Sequence, residues 1–115
     1  MITAKEVRRE ALALPEAVEK ETWGEATFRV KDKIFLTLGA DGKAAGVKTS
    51  KTNQSLLVRS DPKTFSIAHY VGRFGWVAVQ LSGVKKSMMH DLIVDSWRRI
   101  APKRLVAAND AKDEG

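Results

Sequence analysis

The sequence predicts an α+β fold, an antiparallel sheet backed by helices. Three local patterns carry that expectation. Residues 3–14 read as a capped amphipathic helix, residues 26–38 alternate as a hairpin, and residues 89–100 carry an apolar stripe at helical spacing. The 115 residues suit one domain. Its bounds are read as 1–108, with 109–115 expected as a frayed tail, because AANDAKDEG carries little apolar weight.

The first helix has a complete start signal. Thr3 stands at the cap with Glu6 three residues on, the spacing of a capping box, and Ile2 and Val7 occupy the hydrophobic-staple positions around it. Ala4, Val7, Ala11 and Leu14 form its apolar stripe, and Pro15 stops it. Strands follow at 26–30 (ATFRV) and 34–38 (IFLTL), joined by a charged turn at Lys31-Asp32-Lys33. Asp41-Gly42 marks the next turn and AGVKT (45–49) a third strand, which makes a meander. A short helix is expected over 53–58, and Asp61-Pro62 opens one more helical turn. WVAVQL (76–81) is rich in strand formers. The last helix starts near Ser87 and steps through Met89, Ile93, Trp97 and Ile100, with Leu92 beside them. Arg98 and Arg99 sit in its last turn, where they suit the helix dipole, and Pro102 ends it. The expected core is Val7, Phe28, Leu36, Val77, Val79, Leu92, Ile93 and Trp97.

Composition removes several chemistries. There is no cysteine, so disulfides, thiol nucleophiles, zinc knuckles and iron–sulfur clusters drop out together. The two histidines, His69 and His90, are far apart in sequence, and no metal site or cofactor is expected. No stretch approaches the ~20 apolar residues of a membrane span, and the N-terminus is charged throughout, so the expected location is the cytoplasm.

Charge is uneven along the chain. Residues 1–25 carry four basic and six acidic side chains, net −2, and residues 105–115 carry one and three, also net −2. Residues 26–104 carry fifteen basic and five acidic, net +10. Such a body favours anionic partners, with DNA the leading candidate, although charge of this size also serves solubility alone. The basic residues proposed to face the partner are Arg29, Lys31 and Lys33 around the hairpin tip, Lys48 and Lys51 beyond the third strand, and Arg98, Arg99, Lys103 and Arg104 where the last helix breaks.

Three short motifs have plainer readings. Ser82-Gly83-Val84-Lys85 has the S-x-x-K spacing of acyl-transfer serine enzymes, but reads as the turn between a strand and a helix. His90 and Asp91 are adjacent helix positions about 100° apart, so they do not form a base and its orienting carboxylate. Arg73-Phe74-Gly75-Trp76-Val77 partly matches the segment by which RNA-recognition motifs stack bases, and Gly72 to Gly75 matches the G-x-x-G of KH loops. The element order around them fits neither fold, which makes Phe74, Trp76, Val77 and Val79 core and sheet residues.

Taken in series, the segments resemble the MmcQ/YjbR-like family. The resemblance rests on Trp23-Gly24, Ala26-Thr27-Phe28-Arg29-Val30, Lys33-Ile34-Phe35, Asp41-Gly42, Val47-Lys48 and Gly75-Trp76-Val77-Ala78-Val79. It ends with Ser96-Trp97-Arg98-Arg99 and Ala101-Pro102-Lys103-Arg104-Leu105, and spans residues 3–105. It implies a small bacterial α+β protein whose topology is similar to secretion chaperones and to a double-wing nucleic-acid-binding shape. It brings no catalytic residue and no cofactor. The expectation is therefore a non-enzymatic domain that binds nucleic acid with weak sequence preference; the rival is a chaperone-like module for a protein or small ligand, with no nucleic-acid role.

Overall fold

The computed structural model describes residues 1–69 and 71–114, with the backbone alone for 112–114. The capping box forms as expected. Thr3 Oγ1 accepts from the Glu6 backbone N–H at 3.2 Å while Glu6 Oε1 accepts from the Thr3 N–H at 3.2 Å, and α1 runs Ala4–Leu12. Ile2 and Val7, the staple pair, are both buried. This reciprocal bonding satisfies two of the donors that a helix start leaves orphaned.

Six strands follow: β1 Val18–Thr22, β2 Glu25–Val30, β3 Lys33–Leu38, β4 Ala44–Lys48, β5 Phe65–Ile67 and β6 Trp76–Gln80. They form one sheet in the order β1-β2-β3-β4-β6-β5, with every neighbouring pair antiparallel. The chain is an α+β protein with an antiparallel sheet backed by helices. The meander at 26–49 is present, and β1 extends it by one strand at the edge. Two-residue turns join β1 to β2 and β2 to β3. Trp23 and Gly24 have φ of 56° and 81°, and Lys31 and Asp32 have 50° and 65°. Positive φ at both central residues is the turn geometry whose twist matches a hairpin.

Helix α2, Lys51–Ser60, starts at the Ser50 cap and is longer than the helix expected over 53–58. It carries the chain from β4 across β6 to β5, and packs against β5. A single turn at 62–64, closed on the Asp61 carbonyl, separates α2 from β5. Helix α3, Lys86–Ile100, lies against β3 and β4, and α1 lies against α3. Both helices back the same face of the sheet.

The core lies between that face and the helices. Val7, Phe28, Leu36, Val77, Val79, Ile93 and Trp97 are buried as expected, and Trp97 donates from its indole Nε1 to the Pro15 carbonyl at 3.1 Å. Leu92 is a correction: it is only partly buried, and Met89, Ile93, Ser96 and Trp97 are the residues α3 turns inward. The centre of the buried stripe falls on the 89–93–97 line, which leaves Leu92 on its flank. Phe74 is a second correction. It is 54% exposed, in a short 3-10 turn at Gly72–Phe74, while Val77 and Val79 fill the core and Trp76 is half-buried. Helix α4 runs Lys103–Glu114, restarting directly after Pro102, and includes most of the segment 109–115. Position 115 lies outside the described residues.

Candidate nucleic-acid interface

Strand register decides where the proposed basic residues meet. Val30 pairs with Lys33 across the β2–β3 turn, Leu36 with Val47, and Lys48 with Trp76. The end of β2, the start of β3, the end of β4 and the start of β6 therefore share one end of the sheet. Lys31 and Lys33 flank the hairpin tip there, Lys48 closes β4, and Lys51 opens α2 three residues later.

Helices α3 and α4 reach the same end. The Lys48 backbone N–H donates to Ser96 Oγ at 2.9 Å, which places the last turn of α3, with Arg98 and Arg99, beside the end of β4. Glu16 ties in the start of α4. Lys31 Nζ stands 2.6 Å from Glu16 Oε1. The Lys31 ammonium, hydrogen-bonded to it, and the nearby Arg104 charge hold the Glu16 carboxyl below the usual glutamate range.

These cations differ in availability. Arg29 is drawn into the hairpin. Its side chain is 16% exposed, Nε donates to Thr27 Oγ1 and Nη2 to Thr22 Oγ1 at 3.2 Å each, and Asp32 Oδ1 lies 3.6 Å from Nη1. That network braces three neighbouring segments and leaves little of the guanidinium for a partner. Lys31 pairs with Glu16, Arg98 with Asp110, and Arg99 with Asp95 at 2.8 Å. These are half-exposed surface pairs, worth about 0–1 kcal/mol each, so an incoming phosphate competes with them at small cost. Lys33, Lys51, Lys103 and Arg104 are exposed and Lys48 is half-buried, and none of them has a salt bridge among the described residues.

The sequence reading missed Arg73. It stands just before β6, hence at the same end, with its guanidinium carbon 4.8 Å from the centre of the Phe74 ring. The signal was present in the Arg73-Phe74-Gly75-Trp76 run. Away from that end charges of both signs meet: Glu6 of α1 stands 3.0 Å from Lys86 and Glu10 stands 2.6 Å from His90.

The catalytic motifs do not assemble. Ser82 and Lys85 are both exposed in the turn before α3, so the lysine lacks the burial that acyl-transfer chemistry requires. Among the described residues there is no group of three or more His, Asp or Glu side chains able to hold a metal ion. No helix among them is long and apolar enough to cross a membrane.

This fold has relatives. The YjbR family model matches residues 12–99, so the chain belongs to the YjbR family. The structure is similar to the crystal structure of Deinococcus radiodurans protein DR2400, whose family-model domain is DUF419. The TM-score is 0.77 at 20% identity, over 84% of this chain and 77% of that one. At that identity the likeness is one of fold. No curated protein matches the chain. Neither finding carries a substrate, cofactor or partner across.

Proposed function

We propose that this YjbR-family chain is a non-enzymatic domain that binds nucleic acid with weak sequence preference, through the basic end of its sheet. One observation carries the reading. The antiparallel register brings the β2–β3 tip, the end of β4 and the start of α2 to one end, and the Lys48–Ser96 hydrogen bond adds the α3–α4 junction, so their cations share that end. Separately they are scattered over 74 positions between Lys31 and Arg104, and the fold removes that separation. Lys33, Lys48, Lys51, Lys103 and Arg104 make up the freest part of this surface. Lys31, Arg98 and Arg99 join by exchanging a surface carboxylate for a phosphate. Arg29 serves the hairpin instead. A phosphate-tracking surface of this kind fixes orientation and carries little sequence information.

The test is a salt-titrated binding assay on duplex DNA, single-stranded DNA and RNA. Micromolar or weaker affinity at physiological salt is expected, in the ~10⁻⁴–10⁻⁶ M range of non-specific contacts, falling linearly in logarithm with log salt. Absence of binding to any of the three at about 50 mM salt, where electrostatic attraction is strong, overturns the reading.

A second reading has its own observation. The face of the sheet turned away from α1 and α3 holds a cleft lined mostly by apolar groups, as a small-ligand module requires. It predicts binding with no salt slope and no dependence on nucleic-acid length.

A further inference from the structure

The open face of the sheet carries a trough that phosphate contacts alone do not need. Its floor is a cross-strand row of small residues: Thr37 pairs with Gly46, and Gly46 with Ala78. Side chains this short leave a cleft of about 430 Å³. That volume falls in the ~300–1,000 Å³ range of small-molecule sites. The Thr37 hydroxyl lies close over Gly46, where a Cβ would stand 2.5 Å from its Oγ1, so glycine lets Thr37 lie down across the floor. Ile34 and Trp76 line the cleft, together with Ala68, whose N–H donates to the Trp76 carbonyl at 3.2 Å, and Val71.

The wall formed by Trp76 adjoins the basic end. Lys48 pairs directly with Trp76 across β4 and β6, and the alternation of both strands turns the two side chains to the open face, opposite the buried Val47 and Val77. Arg73 stands three residues before Trp76, over an exposed Phe74 ring. An apolar slot walled by an indole, with Lys48 paired to that tryptophan and Arg73 three residues before it in the chain, matches a flat ring joined to an anionic group. Thr37 and Glu25 supply a hydroxyl and a carboxylate within the lining, suited to the polar edge of such a ring.

We infer that this cleft takes one unpaired nucleotide of a single-stranded nucleic acid, its base against Trp76 and its flanking phosphates at Lys48 and Arg73. The inference rests on the nucleic-acid reading above and narrows it to a single strand. A paired base keeps its faces stacked inside the duplex and has none to offer Trp76. Aromatic platforms beside cations hold single strands with little sequence preference, since every base has a π-face.

The experiment compares fluorescence anisotropy of a labelled oligothymidine and a blunt DNA duplex on the parent chain and on Ala78→Leu and Trp76→Ala, each checked by circular dichroism melting. The single strand is expected to bind more tightly than the duplex. Both substitutions are expected to weaken single-strand binding about tenfold or more, the range of losing one base stack, and to leave duplex binding unchanged. Thymidine monophosphate should shift the Gly46 and Ala78 amides and the Trp76 indole in NMR spectra. If Trp76→Ala fails to fold, Ala78→Leu decides alone, since its added carbons enter the open trough and not the core. Equal affinity for strand and duplex, untouched by Ala78→Leu, overturns the cleft as a base site and leaves the basic end standing. Binding of neither nucleic acid, with no shift from the monophosphate, overturns both readings. Monophosphate shifts without strand binding overturn the single strand as occupant.

Discussion

Ser96 stands in for a missing strand partner of Lys48. The β3–β4 pairing ends at Leu36 and Val47, and beyond it the Lys48 N–H donates to Ser96 Oγ at 2.9 Å while Ser96 Oγ donates to the Phe35 carbonyl at 2.5 Å. One fully buried hydroxyl on α3 thus closes the open end of the ladder from the helix side. Ser96→Ala leaves one backbone donor and one acceptor without that partner, at an expected cost of about 1–3 kcal/mol. Urea titration measures it, and hydrogen exchange should show the Lys48 amide losing protection. A variant as stable as the parent would show that water replaces the hydroxyl without loss.

Gln54 plays the matching part on the other flank. It is buried on α2, and its Nε2 donates to the Gly72 carbonyl at 2.6 Å and to the Trp76 carbonyl at 2.9 Å. The amide clamps the turn that presents Arg73 and Phe74. Gln54→Leu keeps the volume and removes both bonds, so about 1–3 kcal/mol of stability should go. The Arg73–Trp76 segment should exchange its amides faster. Unchanged melting together with unchanged exchange would rule out the clamp.

The elements most legible in the sequence were those written locally. Thr3 and Glu6 specify their own contacts, and the alternation at 26–38 needs no distant partner to be read. Strand β1 is VEKET, mostly exposed at a sheet edge, so no burial pattern marks it. Strand β5 has three residues and exists through its pairing with β6. Among the described residues of α4, half-buried Leu105 and Val106 are the apolar contacts with the core, a stripe too thin to notice. In β3 the pairing slips between Phe28–Leu36 and Arg29–Ile34, a bulge that buries Phe35 and Leu36 side by side and turns Ile34 to the open face. Strict alternation cannot announce that. The basic set was legible as residue types, but its gathering, and the commitment of Arg29 to the hairpin, depend on register and on side-chain bonds. The cleft was invisible, because Gly46 and Ala78 become a floor only when β4 and β6 pair.

Trp23 is held at φ 56° in the β1–β2 turn and is 98% exposed. A bulky residue in the left-handed region costs roughly 1–2 kcal/mol, and asparagine tolerates it far better. Trp23→Asn should therefore raise stability by about 1 kcal/mol. Thermal melting checks the direction. A decrease would show that the indole makes contacts in solution that outweigh the turn.

Glu16 reports on the junction between the hairpin tip and α4. Lys31, then Arg104, lowers its folded-state pKa below the ordinary glutamate value. A depressed carboxyl stabilises the fold above its unfolded pKa, and the contribution is lost as pH falls through the folded pKa. An NMR titration of the Glu16 side chain should show a midpoint below that of an unstructured glutamate, and Lys31→Ala should move it upward. Equal midpoints in parent and variant would separate the hairpin tip from α4 and weaken the case for a single basic end.

Charge reversal gives the most direct test of that end. Arg98 and Arg99 are poor first choices, because Glu at either position would face Asp110 or Asp95 and strain the α3–α4 junction for reasons unrelated to binding. Lys33, Lys51 and Lys103 are exposed, without a salt bridge among the described residues, and come from three different elements. Each cation that neutralises a phosphate contributes about −0.9 to the slope of log affinity against log salt on duplex DNA. Reversing all three to Glu should flatten the slope by roughly 3, weaken every sequence alike, and leave the melting temperature close to that of the parent. The outcome separates two kinds of basic surface. If the three residues line one phosphate track, the single reversals each remove about one unit of slope and the triple variant adds them. If the charge serves only solubility, the parent itself shows no slope to flatten, and the reversals change nothing but the isoelectric point.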